Sequence, residues 1–165
     1  MSGKRQKSRG AFTIAELLVV LMILGMLLSA MAVAFNASVI NYNTNRDMFE
    51  AMNSARQTLL RITNDLRAAI VNHDEPSNQC SMVTADGRNI TYQYDSDRKR
   101  LNLVVNSGAG AGTYRLCNNV TSMNFERATC IDDPTAVRNV RILMTVTVGD
   151  VSQTLAAAAV VRRNL

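Results

Sequence analysis

The 165-residue chain carries 18 Lys+Arg against 13 Asp+Glu, with one His, three Cys, no Trp, four Phe and four Tyr. That is material for one domain, or one domain with an appendage. The formal charge of +5 is concentrated at the start, where Lys4, Arg5, Lys7 and Arg9 precede residue 12 and leave a nearly neutral remainder. This distribution disfavours a basic nucleic-acid-binding domain.

From Leu17 to Phe35 there are nineteen residues without a charge. At the helical rise they reach about 28 Å, close to the roughly 30 Å hydrocarbon core of a bilayer. A fully soluble cytoplasmic protein is therefore disfavoured too. Four cations stand before this run, and the first one after it is Arg46, so the N-terminus is expected inside and the rest exported. An ordinary signal peptide also offers a basic start, an apolar stretch over residues 17–28 and small-residue cut patterns such as Ala30-Met31-Ala32 and Ala32-Val33-Ala34. Two features argue against it. Glu16 stands in front of the apolar run, and residues 26–75 contain neither Gly nor Pro, so one helix is expected to continue from the membrane into solvent.

Along the second half of that helix Met48, Met52, Ala55, Leu59, Ile62, Leu66 and Ala69 recur at 4-3 spacing on one face. The stripe is expected to lie on the domain's own core, with a coiled-coil partner as the alternative. The run Asn41-Tyr42-Asn43-Thr44-Asn45 is its weakest part, being made of poor helix formers. Pro76 is expected to end the helix.

Beyond residue 80 the period becomes two. Strands are predicted over 82–84 and 89–94 around the turn Asp86-Gly87, and then over 101–105, 114–117, 120–126, 137–148 and 151–161. The last two are joined by Gly149-Asp150, and residues 107–112 form a glycine-rich loop. Ala156–Ala159 is read as strand because Val151 and Val160-Val161 flank it. Short turns between strands give an antiparallel sheet, and its apolar face needs a cover. The fold class is therefore α+β, a long N-terminal helix packed on a C-terminal antiparallel β-sheet.

The physics of Glu16 asks for a cation. A carboxylate in an apolar helix costs about 2.5–3.5 kcal/mol near the bilayer centre on insertion scales, and the apolar run supplies no partner. A cut just upstream would create one, an α-amino group with a reference pKa near 7.7–8.0. In a stack of axially shifted subunits, the acid of one would meet the amine of the next. The alternative is a carboxylate that snorkels to the interface.

The stretch Arg9-Gly10-Ala11-Phe12-Thr13-Ile14-Ala15-Glu16-Leu17-Leu18-Val19-Val20 resembles the processing and methylation signature of type IV pilins and type II secretion pseudopilins. The resemblance implies a leader ending at Ala11 and a mature chain starting at Phe12, N-methylated by the prepilin peptidase, with Glu16 acting in filament assembly. Ala11 stands where the family has Gly, and a cut after Gly10 instead would make Glu16 the sixth mature residue. Gly25 lies where the family often softens its helix, and the Pro frequent in major pilins is absent. Residues 55–69, 90–95, 119–125 and 161–164 look more loosely like J-type minor pseudopilins and W-type minor pilins. The implied organisation is a removable cytoplasmic leader over 1–11, a transmembrane and assembly helix over 12–40, and a periplasmic pilin-like α+β domain over 41–165.

For the three cysteines, Cys117 and Cys130 flank the C-terminal strand region and are expected to pair, as is common in that superfamily, leaving Cys80 free. A Cys80–Cys117 bond and three reduced thiols are the alternatives. His73, the only His, has no ligand partner at zinc spacing. Asp95-Ser96-Asp97 and Asp132-Asp133 offer oxygens to calcium, but turn chemistry accounts for them equally. The basic patch Asp97-Arg98-Lys99-Arg100 reads as a solvated turn rather than a DNA contact. No catalytic constellation is present in the sequence.

The expected role is therefore that of a minor subunit initiating or capping a pseudopilus or pilus, not an enzyme. It would need no cofactor and no small-molecule substrate, and its partners would be other pilins, the peptidase and the inner membrane. The alternative is an exported soluble binding or enzymatic domain released by signal peptidase.

Overall fold

A computed structural model describes residues 13–108, 110–131 and 133–162. Helix α1, Ile14–Ala68, runs for 55 residues. Asn41–Asn45 do not interrupt it. Contacts divide the chain after Asn43 into an N-terminal unit and a domain that begins at Thr44.

In the N-terminal unit every described residue is solvent-exposed, among them Leu17, Val20, Leu24, Leu28 and Phe35. This part of α1 is long and apolar enough to cross a membrane.

The domain begins with the second half of α1. Met48, Ala51, Ala55, Thr58, Leu59, Ile62, Thr63 and Leu66 are buried there. Most of the expected stripe is buried, but Met52 is half-exposed and the buried face is wider, taking in Ala51, Thr58 and Thr63. The two threonines tolerate burial because each hydroxyl donates back along the helix, Thr58 to the Ser54 carbonyl at 2.8 Å and Thr63 to the Leu60 carbonyl at 2.9 Å.

The helix ends at Ala68, before Pro76. Ile70 and Val71 form a short strand, β1 (Ile70–Val71), paired with Val83 and Met82, and these β-branched residues gain more from that ladder than from another helical turn. Six further strands fall close to their predicted positions: β2 (Gln79–Val83), β3 (Asn89–Asp95), β4 (Arg100–Val105), β5 (Gly112–Asn118), β6 (Val120–Thr129) and β7 (Val137–Val148). The last, β8 (Val151–Val160), confirms Ala156–Ala159 as strand. Gly87, at φ 80°, and Gly149, at φ 57°, supply the left-handed backbone that their turns require.

All neighbouring strands are antiparallel, yet they form two sheets, a five-stranded one ordered β1-β2-β3-β4-β5 and a three-stranded one ordered β6-β7-β8. The break is made by one residue. Asn119, at φ 60°, redirects the chain between β5 and β6, and its carbonyl accepts from the Thr147 amide at 2.9 Å on the second sheet. Asn is among the few residues that adopt this conformation readily.

The core joins all three layers. Ala55, Leu59, Ile62 and Leu66 of α1 cluster with Tyr92, Leu101 and Leu103 of the first sheet and with Phe125, Val140, Ile142 and Met144 of the second. A buried ion pair ties the α1–β2 connection to β6. Arg127 stands 3.8 Å from Glu75 and donates to the carbonyls of Glu75, at 2.9 Å, and of Gln79. Glu75 in turn accepts from the Ser81 amide at 2.7 Å.

Candidate functional site

The first turn of α1 places Glu16 directly before the apolar run. Its Oε2 accepts from the Thr13 amide at 3.1 Å and from the Thr13 hydroxyl at 3.1 Å, while the Thr13 Oγ1 accepts from the Glu16 amide at 3.3 Å. This reciprocal pattern is a capping box, which satisfies amides that a helix start otherwise leaves without partners. Thr13 was not singled out in the sequence, although Thr13-Ile14-Ala15-Glu16 carries the signature. Glu16 thus has a local partner of its own, and both residues are exposed. Ala11 and Phe12, the expected processing residues, lie outside the described residues.

Below that turn the surface is almost free of polar groups. The Ser29 hydroxyl donates to the Met26 carbonyl at 2.8 Å, which conceals it from an apolar medium. A Cβ added at Gly25 would meet nothing within 4 Å, so no packing within the described chain calls for glycine there. A helix apolar on all sides belongs in lipid or among other helices.

The cysteines correct an expectation. All three are free thiols. Cys117 lies at the end of β5, paired with Leu101, whereas Cys130 follows β6, its amide donating to the Ala136 carbonyl at 2.8 Å. The ten residues of β6 lie between them and span roughly 33 Å, while a disulfide needs Cα atoms about 4.4–6.8 Å apart. The proposed Cys117–Cys130 bond is therefore incompatible with this strand. Burial pushes the Cys80 thiol up to about 11, against the opposing pull of the Arg127 guanidinium. Burial raises Cys117 as well.

The other candidates are occupied by local structure. Asp95 accepts from the Arg98 amide at 3.1 Å and from Arg100 Nε at 3.2 Å, and the Arg98 amide bond leads the causes that hold its carboxyl below the usual range. Asp133 accepts from the Thr135 hydroxyl at 2.7 Å and from the Thr135 amide at 2.9 Å, which lowers it likewise. Both carboxylates organise turns. Asp132 lies outside the described residues, and His73 is exposed. Among the described residues no three His, Cys, Asp or Glu side chains gather as a metal site would require. A cleft of about 530 Å³ lies beside the C-terminal end of α1, lined by Arg61, Asp65, Arg88, Tyr114 and Arg115 among others. Its two carboxylates are engaged, Asp86 by Arg88 at 2.7 Å and Asp65 by the Tyr92 hydroxyl at 2.5 Å.

Compared with protein-family models, with curated proteins and with solved structures, the chain matches none. What the fold defines is a class, an α+β protein with one long, apolar N-terminal helix and antiparallel sheets, an architecture compatible with that of pilins. Its most conspicuous surface is the uncovered N-terminal half of α1, headed by Glu16.

Proposed function

We propose that the protein is a minor pilin or minor pseudopilin, held in the inner membrane by the N-terminal half of α1 with its basic leader inside and its domain in the periplasm. In this reading prepilin peptidase removes residues 1–11 and methylates the new amine of Phe12. The subunit then joins a pseudopilus or pilus through that helix and contributes to its initiation or cap. It docks and does not catalyse. The observation that carries the reading is the acid at the head of an apolar helix whose N-terminal half is exposed among the described residues. Such a surface has two suitable environments, lipid before assembly and neighbouring helices after it. Cleavage would act as the switch between them, removing the cationic anchor and creating the amine that Glu16 requires.

A second reading has an observation of its own. Among the described residues the buried core contains none before Met48, so a cut by signal peptidase within residues 30–36 would release the domain with that core whole. N-terminal sequencing and intact mass of the exported protein separate the two. A chain starting at N-methyl-Phe12 is the expected result, and one starting near Ala32–Asn36 would overturn the proposal.

A further inference from the structure

The outer strands of the two sheets differ in how they are protected. An uncovered strand edge invites pairing with other chains, and proteins blunt such edges with short strands, charges, bulges or covering segments. β1 has two residues. β5 carries Arg115 and shifts register against β4 between Leu101 and Asn102. β6 is covered by the α1–β2 connection, for the Phe125 amide donates to the Ser77 carbonyl at 2.7 Å and the Arg127 side chain reaches the carbonyls of Glu75 and Gln79.

Among the described residues β8 has none of these devices. It runs ten residues, Val-Ser-Gln-Thr-Leu-Ala-Ala-Ala-Ala-Val, without a charge or a proline. Its ladder to β7 is unbroken from the pair Val148–Val151 to the pair Asn139–Val160, and among the described residues no strand pairs with its other side. Beside it lies an apolar groove of about 310 Å³, floored by Leu155, Ala156 and Ala157 and walled by Leu59, Leu60 and Thr63 of α1. Leu60 is 64 % exposed although Leu59 and Thr63 beside it are buried. The only charge on the groove is Arg56, which makes no ion pair among the described residues.

We infer that β8 accepts an extended segment of a different protein subunit, which adds a fourth strand to the second sheet. The segment is apolar on the side that enters the groove, where it covers Leu60, and it carries a carboxylate opposite Arg56. Main-chain hydrogen bonds along an open edge give such an addition its affinity, and the groove selects alternate side chains. Charge complementarity argues against a second copy as the occupant, since none of its uncovered outer strands, β1, β5 or β8, holds an acid to place against Arg56. This surface lies wholly within the domain and does not depend on how the N-terminus is processed.

The test uses the full chain in its native envelope, with a benzophenone amino acid placed at half-exposed Ala157, on the face of β8 that turns toward α1, and, as a control, at exposed Ser107. Irradiation should join Ala157, and not Ser107, to one other protein, through an extended segment containing Asp or Glu. Leu60→Glu and Arg56→Glu, both at exposed positions, should leave thermal melting unchanged and each reduce that adduct at least ten-fold. Cross-linking to β8 of a second copy, to lipid alone, equally from Ser107, or not at all would overturn the proposal. So would an adduct insensitive to Leu60→Glu or to Arg56→Glu.

Discussion

Tyr92 shows how a polar side chain is made to fit a core. Its ring is fully buried and its hydroxyl donates to Asp65 at 2.5 Å across the interface between α1 and β3. Burial first, and then the bond to the Asp65 carboxylate, push this phenol well above its ordinary range, so it stays a donor at every physiological pH. Tyr92→Phe keeps the ring and leaves a half-buried carboxylate without its donor. It should lower stability by about 1–3 kcal/mol, measured by urea unfolding at pH 8. Cys80 makes a separate prediction at alkaline pH. Its thiol titrates near 9.0 when unfolded and at about 11 in the fold, so below pH 9 it is neutral in both states and its stabilising contribution is fully present. As pH rises from 9 to 11 the unfolded chain loses the proton first, and stability falls by up to about 2–3 kcal/mol. Cys80→Ala should flatten that part of the stability profile; an equally steep fall in the variant would assign it to other groups.

At the scale of the element, α1 presents different faces to different surroundings. Leu66 is fully buried, whereas Leu60 is mostly exposed. Leu66→Ala should destabilise the domain by about 2–5 kcal/mol through lost transfer energy and the cavity left behind. Leu60→Ala should stay within about 0.5 kcal/mol. Thermal melting of the two variants checks the assignment, and equal losses would mean that the helix is rotated from the position described. The 4-3 spacing of apolar residues made this face readable, and period-two alternation with Asp-Gly and Gly-Asp turns did the same for the strands. What was not readable follows from tertiary competition. Ile70-Val71 left the helix because Met82 and Val83 offered a ladder, a partnership invisible within a local window. Two sheets replaced one because a single left-handed Asn119 redirected the chain. The cysteine pairing came from the family resemblance, and the strand predicted over 120–126, extended to Thr129 in the fold, already stood between the two residues. At the candidate site the lone acid before an apolar run was legible, and so, unused, was the Thr13 pattern. The open β8 edge needed the topology.

For the whole molecule, the proposed filament role turns on which partner Glu16 holds. Two roles compete for one carboxylate: closing the capping box with Thr13 inside the chain, and pairing with an amine on a neighbour. They separate by substitution. Gln at this position still closes a capping box, because its carbonyl accepts from the same Thr13 amide and hydroxyl, but it carries no charge to offer an ammonium group. Ala loses both, at about 0.5–2 kcal/mol for the cap alone. If capping is the whole role, Glu16→Gln should enter the sheared filament fraction like the natural protein and only Glu16→Ala should fail. If the neighbour's amine is the partner, both variants should accumulate in the membrane at normal levels and both should be depleted from filaments, Gln about as severely as Ala. The pairing reading predicts the second pattern. Its physical basis is that a hydrogen bond within one chain is already made before assembly and cannot favour it, whereas a charge lacking its counter-ion in an apolar medium can. Quantitative immunoblots of the membrane and filament fractions decide between the two.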